Sequence, residues 1–438
     1  MDVHRDRLVL EDRQGPLTMV QDPHLVPLLP VPFAGFACPA CGGTALRMGP
    51  SVWPGVHVLQ ERTCTGCGHH YLQDLPVGFA VDHPMAIGLR DGALYNPTNG
   101  EPWIHEPLVR SFRSPQDREV KVERIVHRQC DRVIILNTLD FLYGHVLLKL
   151  YNAQHYLDRH PDLGLILILP RMFQWLVPEG VAEVWLVDQR LGEAHGWYTA
   201  IDRFVQEQLP RYGEVYLGRG YAHPEFATMD IARFTKVKPF ALADFLTAPP
   251  HITFVARQDR LWFATPAAKF LYRVFNRLGL KKSVGRWYIH AQDRLIRRSM
   301  ALISAAIPQA TYSVVGLGEP GGFGPRARDL RTLKMDTATE LAWCEAYARS
   351  QVVVGVHGSN MLLPTAHAAG CIEVLPYDRY GNIVQDVSVR YHDRMQLFLY
   401  RFVDEFASPR TIARHVRSMF TDFAVYHRDN RENIFRPS

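Results

Sequence analysis

Two runs of short apolar strands, each alternating with helical stretches, constrain this 438-residue chain more than any other feature. The first run opens with R-V-I-I-L from Arg132 and continues through L-I-L-I-L at 165–169, V-A-E-V-W-L-V at 181–187 and E-V-Y-L at 214–217. Between its first two strands, the spacing of Leu147, Leu150 and Tyr151 predicts a helix over 143–159, and another helix runs through Phe204. The pattern restarts at H-I-T-F-V-A-R from His251. It continues with a helix over 291–306, T-Y-S-V-V at 311–315, and a helix over 338–349 with Leu341, Cys344 and Ala348 on one face. Strands V-V-V-G-V at 352–356 and C-I-E-V-L at 371–375 follow, and 409–423 reads as a helix that packs back on the body. Such alternation predicts two mostly parallel sheets covered on both sides, the boundary falling in the proline-bearing stretch near 240–250. Two open sheets of this kind are expected to face a ligand cleft.

Ahead of these runs stand four cysteines in two close pairs, C-P-A-C-G-G and C-T-G-C-G-H. Cys38, Cys41, Cys64 and Cys67 match the spacing of a structural zinc site, in which each pair forms a knuckle and Gly42 and Gly68 relieve crowding. Four thiolates close the coordination sphere, so such a metal holds structure and does no chemistry. The interval has room for a hairpin, with V-W-P-G-V-H-V-L supplying one strand. His57, His69 and His70 read as surface histidines. Arg47 and Arg62 are the only cations in 31–80, too few for a nucleic-acid surface.

Composition sets the remaining bounds. A chain that is 47% hydrophobic and 21% charged is that of a folded globular protein, and a net charge of +5 tolerates anionic ligands without announcing a nucleic-acid partner. The longest apolar run, 163–169, ends at Pro170 and is too short to span a bilayer. The opening residues lack the apolar core of a secretion signal, so the expected compartment is the cytoplasm. A homo-oligomer is compatible with the sequence. Residues 1–30 read as a lead-in, 31–80 as a zinc ribbon, and 81–125 as a linker rich in turn residues.

The most informative stretch is V-V-V-G-V-H-G-S-N-M-L-L-P-T-A-H-A-A-G-C-I-E-V-L-P. An apolar strand runs into Gly355, His357 and Gly358, with Ser359 and Asn360 where a helix can be capped and Pro364 delaying the regular helix. Taken alone, His357 is either a ligand-facing residue at a strand end or a hydrogen-bonded turn histidine. The segment from Ala346 to Pro376 resembles the signature of the family 61 glycosyltransferases. That resemblance implies a glycosyltransferase-B fold of two Rossmann-like domains, here an acceptor domain over 126–245 and a donor domain over 246–400; the residues that follow, 401–438, read as a C-terminal helix packing back on the body. It implies an inverting, metal-independent transfer of sugar from a nucleotide sugar to an acceptor hydroxyl. It also implies donor binding by His357, Gly358, Ser359 and Glu373. Arg257 and Arg260 in V-A-R-Q-D-R partly match the family's arginine segment, although W-F-A-T-P follows where other residues are customary.

In a metal-free site, arginines and backbone amides must absorb the charge of a departing nucleoside diphosphate. Lys281, Lys282, Arg286, Arg294, Arg297 and Arg298 form a second basic set, readable equally as a solvated helix face. Asp140 and His145, after the first strand of the first run, are candidates for the base, or else cap and pack the next helix. G-L-G-E-P-G at 316–321 formally matches a dinucleotide fingerprint but cannot open a helix, so it reads as a loop, with Glu319 a candidate sugar contact. The competing readings are a non-catalytic zinc-ribbon scaffold with a degenerate transferase body and, more remotely, a dinucleotide-dependent oxidoreductase.

Overall fold

The computed structural model describes residues 7–12, 15–20, 22–95, 102–115, 119–220, 226–391 and 394–432. The predicted turn residues N-P-T-N-G-E at 96–101 and the opening residues 1–6 lie outside that set. The chain divides into two compact units, Met1–Pro224 and Glu225–Ser438.

In the first unit, a six-stranded sheet runs Leu25–Leu29, Glu214–Gly218, Arg132–Asn137, Gly164–Pro170, Glu183–Val187, Val122–Val126 across its width. Its four central strands are parallel, as the apolar runs predict, and both edge strands are antiparallel. Both edges come from segments that the sequence reading treats as irregular. Leu25–Leu29 belongs to the lead-in and Val122–Val126 to the linker, and each is too short and too interrupted to announce itself by periodicity. The helix Tyr143–Arg159 forms as predicted, burying Val146, Leu147, Leu150 and Tyr151.

The cysteines sit on a separate five-stranded antiparallel sheet whose strands follow chain order: Leu46–Val52, Leu59–Cys64, His70–Asp74, Ala86–Gly88 and Leu94–Tyr95. The last two also fall in the predicted linker, which further holds the helix Pro102–Arg113. V-W-P-G-V-H-V-L is the connection between two strands rather than a strand. Gly55 has φ +143°, and Trp53 leaves the sheet to be buried against Tyr198 and Val205 in the core of the α/β sheet. The histidines are not simple surface groups. His57 is paired with Asp74 at 2.7 Å, His70 with Glu61 at 2.7 Å, and His69 stacks on Tyr71. Arg62 is wholly buried, its guanidinium donating to the carbonyls of Phe33 (2.6 Å) and Phe36 (3.3 Å).

The second unit contains a six-stranded sheet, parallel throughout, ordered Ala327–Asp329, Thr311–Val315, His251–Val255, Val352–Val356, Gly370–Leu375, Tyr400–Asp404. Numbered along the chain, these strands lie in the order 3-2-1-4-5-6, that of doubly wound nucleotide-binding sheets. Two helices are longer than their apolar patterns predict: Lys281–Ala306 and Pro409–Glu432. They pack on each other, and Phe423 stacks flat on Phe245 at 4.0 Å.

His367 ends the short helix Leu362–His367 and is completely buried. One ring nitrogen meets the Leu363 carbonyl at 2.8 Å and the other the Thr235 hydroxyl at 2.9 Å. Burial lowers its pKa from 6.5 to about 4, so the fold favours the neutral ring. This contribution is complete above about 6.5 and disappears as pH falls toward about 4, a loss of about 3 kcal/mol. Thermal melts between pH 7 and 4.5 should show the second unit weakening, with a shallower slope in His367→Gln; an unchanged slope would count against this account.

Candidate functional site

In the second sheet the chain reverses its direction of winding between His251–Val255 and Val352–Val356, which are hydrogen-bonded neighbours. Loops leaving the carboxyl ends of two such strands diverge to opposite faces, and the crevice they leave is where open α/β sheets take ligands. Here those loops are A-R-Q-D-R at 256–260 and H-G-S at 357–359. Most of the donor-binding residues implied by the family resemblance therefore lie around one point.

His357 and Glu373 are wholly buried, and Nδ1 of the histidine is 2.5 Å from a Glu373 carboxylate oxygen. Glu373 belongs to Gly370–Leu375, the next strand, where Gly355 is its register partner. Burial pushes its carboxyl pKa up, while the hydrogen bond and charge of His357 pull it down. The other ring nitrogen, Nε2, lies 3.9 Å from Asp386 and makes no hydrogen bond among the described residues. Arg260 donates from Nη1 to the His357 carbonyl at 2.8 Å.

That approach depends on Gly358. Its φ of +146° is one that other residues rarely adopt, and an added Cβ would fall 1.2 Å from Arg260 Nη1. Gly355 is required by packing, since a Cβ there would stand 2.5 Å from the Met361 sulfur. The side chains of Ser359 and Asn360 cap no helix; Asn360 Nδ2 turns back to the Val356 carbonyl at 3.2 Å.

The neighbouring loop leaves Thr311–Val315 and hugs the first. Ala256 N–H donates to the Val315 carbonyl and Gln258 N–H to that of Leu317. Gly316, at φ +116°, is needed because a Cβ would meet the Ala256 carbonyl at 2.2 Å. Farther along, Arg331 is nearly buried and bridges Asp293 (2.9 Å), Asp329 (2.8 Å) and the Gly321 carbonyl (3.3 Å). Reading the sequence does not reveal this anchor, because its partners are 38 and 2 residues away and share no motif. Arg257 is chelated by Asp259 through Nε at 2.8 Å and Nη2 at 2.7 Å, while Glu319 is exposed in the 316–321 loop.

The base candidates lie in the first unit. Asp140 follows Arg132–Asn137, the strand at which that sheet also reverses its winding beside Glu214–Gly218. It is fully buried, with Lys149 Nζ at 2.8 Å and His145 Nδ1 at 3.6 Å. Burial raises the Asp140 pKa, but the Lys149 charge and the nearby His145 ring outweigh it and hold the carboxyl at about 2. Lys149 is equally buried and also donates to the Leu139 carbonyl at 2.8 Å. Neither unit of this ion pair was legible as such, since lysine at a helical core position ordinarily signals an exposed face. A carboxylate held this low is poorly matched to accept a proton near neutral pH.

The four cysteine sulfurs lie within 4.8 Å of one another, with Cys38–Cys67 at 3.7 Å and Cys41–Cys64 at 3.6 Å. A tetrahedron of thiolates around zinc has edges of about 3.8 Å, so the cluster fits such an ion. Both knuckles repeat one geometry: Gly42 and Gly68 take φ of +72° and +73°, and each N–H donates to the carbonyl of the first cysteine of its pair at 2.8 Å. Asp22, His24 and His155 also converge within 4.8 Å. There, however, the Asp22 oxygens already accept from His160 at 2.8 Å and the His24 amide at 2.7 Å.

No protein-family model matches the chain, and no curated protein matches it. Among solved structures, a glycotransferase of kitacinnamycin is similar at 14% identity, over 67% of this chain and 63% of that protein's length. Its TM-score of 0.24 is too low to carry an argument.

Asp140→Asn should destabilise the first unit by about 3–5 kcal/mol, because it leaves the Lys149 charge buried and uncompensated. Asp140→Leu combined with Lys149→Met should recover most of that loss in urea melts; equal loss in both would disprove the ion-pair account. For the cysteine cluster, elemental analysis should find about one zinc per chain, and Cys67→Ser should release it and lower the melting temperature of that module.

Proposed function

We propose that this protein is a glycosyltransferase whose second unit binds the nucleoside diphosphate of a sugar donor. The observation that carries this reading is the 3-2-1-4-5-6 parallel sheet with Arg260, Gly358 and the His357–Glu373 pair gathered where the winding reverses. A diphosphate needs cationic donors and close backbone approach. Arg260 supplies a guanidinium beside Gly358, where only the absence of a side chain allows contact. Glu373 holds the buried His357 ring in one orientation, which fixes the strand end whose carbonyl receives Arg260.

In this reading the protein is of the glycosyltransferase-B type and related to family 61, and transfer inverts the sugar without a catalytic metal. The acceptor side falls to the first unit, where His145, part exposed and oriented by Asp140, is better suited than Asp140 itself to take the acceptor proton. The cysteine cluster holds a structural zinc and stands outside the reaction. A dinucleotide-dependent oxidoreductase is disfavoured because G-L-G-E-P-G follows the second strand of the sheet, whereas a pyrophosphate fingerprint must follow the first.

Thermal-shift measurements with UDP, GDP and CDP, free and sugar-linked, test this directly. One base should raise the melting temperature at millimolar nucleotide, with a stabilisation of about 2.7 kcal/mol at a hundredfold excess over Kd. Arg260→Ala and Gly358→Ala should each abolish the shift. Absence of stabilisation by every nucleotide would end the transferase proposal.

A further inference from the structure

From Leu261 to Gln292 the chain contains no acidic residue, while Lys269, Arg273, Arg277, Lys281, Lys282 and Arg286 supply six cations. The helix Pro266–Arg277 and the start of Lys281–Ala306 fold back on each other over this span. Their inner face is an aromatic cluster: Tyr272 meets Tyr288 edge-on at 4.9 Å, and Phe263 contacts both. The outer face is not polar. Phe270 is 65% exposed, Leu278 65% and Trp287 58%, and Leu271 and Leu280 are also open to solvent.

On a helix of 3.6 residues per turn, Phe270 and Leu271 share one side, with Leu278 just past the helix end, and Lys269, Arg273 and Arg277 form the adjoining stripe. Glu405 pairs with Lys269, and Asp378 lies 3.9 Å from Lys269 and 3.8 Å from Arg273, leaving Arg277 and Arg286 toward the far end. Scattered exposed leucines are ordinary, but several large apolar side chains beside Arg277 and Arg286, in a stretch whose own sequence holds no acidic residue, mark a recognition surface. We infer that the outer face of this helical pair docks on an anionic lipid surface.

The occupant follows from the chemistry of the face. Phenylalanine, leucine and tryptophan side chains enter the boundary between headgroups and acyl chains, while flanking guanidinium groups meet lipid phosphates. The helix Pro266–Arg277 is about 18 Å long, enough to lie in that boundary but not to cross it. No helix among the described residues is long and apolar enough to span a membrane, so this attachment is peripheral. The inference is independent of the transferase reading, since its test requires no nucleotide.

Sedimentation of the full chain with vesicles of phosphatidylcholine containing a quarter phosphatidylglycerol tests it. Partitioning should be at least about tenfold stronger than onto phosphatidylcholine alone and should weaken with added salt, each cation contributing about fivefold. Phe270→Ser, Leu278→Ser and Trp287→Ser together should abolish binding, and the separate pair Arg277→Glu and Arg286→Glu should weaken it at least about tenfold. Both sets lie on exposed positions and should leave the melting temperature unchanged. No binding to anionic vesicles, or equal binding by either variant, overturns the inference. Elution of the wild type as a dimer that the serine variant converts to monomer, without vesicle binding, overturns it in favour of a self-association surface.

Discussion

The parallel pairing of His251–Val255 with Val352–Val356 is the constraint on which the second unit depends. Parallel strands cannot be joined by a tight turn, so each must be followed by a crossover that covers one face of the sheet. Where two adjacent strands send their crossovers to opposite faces, nothing covers the strand ends between them. The residues just beyond those ends are consequently the ones available to a ligand, whatever its identity. Arg260, His357 and Gly358 follow the ends of these two strands, and their mutual contacts arise from a register that sets Val255 beside Gly355.

Small residues at the reversal point have distinct physical roles. Gly355 makes room for the Met361 sulfur, Gly316 for the Ala256 carbonyl, and Gly358 for the Arg260 guanidinium. The first two allow neutral groups to pack, whereas the third admits a charge. A half-buried guanidinium resting on the His357 carbonyl retains donors for an anion, since one arginine carries five N–H groups. The same economy is absent from the first unit. There the equivalent strand end carries Asp140 locked to Lys149, with both charges removed from solvent.

Periodic segments were legible to within a residue or two. The strands at 132, 311 and 352 and the helices 143–159 and 337–348 all declare themselves through buried faces at regular spacing. Segments whose neighbours supply the burial were not. Leu25–Leu29 and Val122–Val126 become strands because a sheet edge offers them hydrogen bonds, and the Leu94–Tyr95 strand because the Ala86–Gly88 strand does. The start of Lys281–Ala306 was hidden for the opposite reason: its outer face is too apolar and too cationic to resemble a helix with a single dry side.

Sequence alone determined the fold class of both α/β units, the cysteine cluster and the position of the His357 segment at a strand end. Each depends on spacing within a few residues, which local geometry converts directly into proximity. Only the tertiary structure decided which charges meet: His357 with Glu373, Arg260 with the His357 carbonyl, Arg331 with Asp293 and Asp329, and Asp140 with Lys149. Partners in a crossover fold are brought together by sheet order, and residue type at one position does not specify what a distant strand will place beside it.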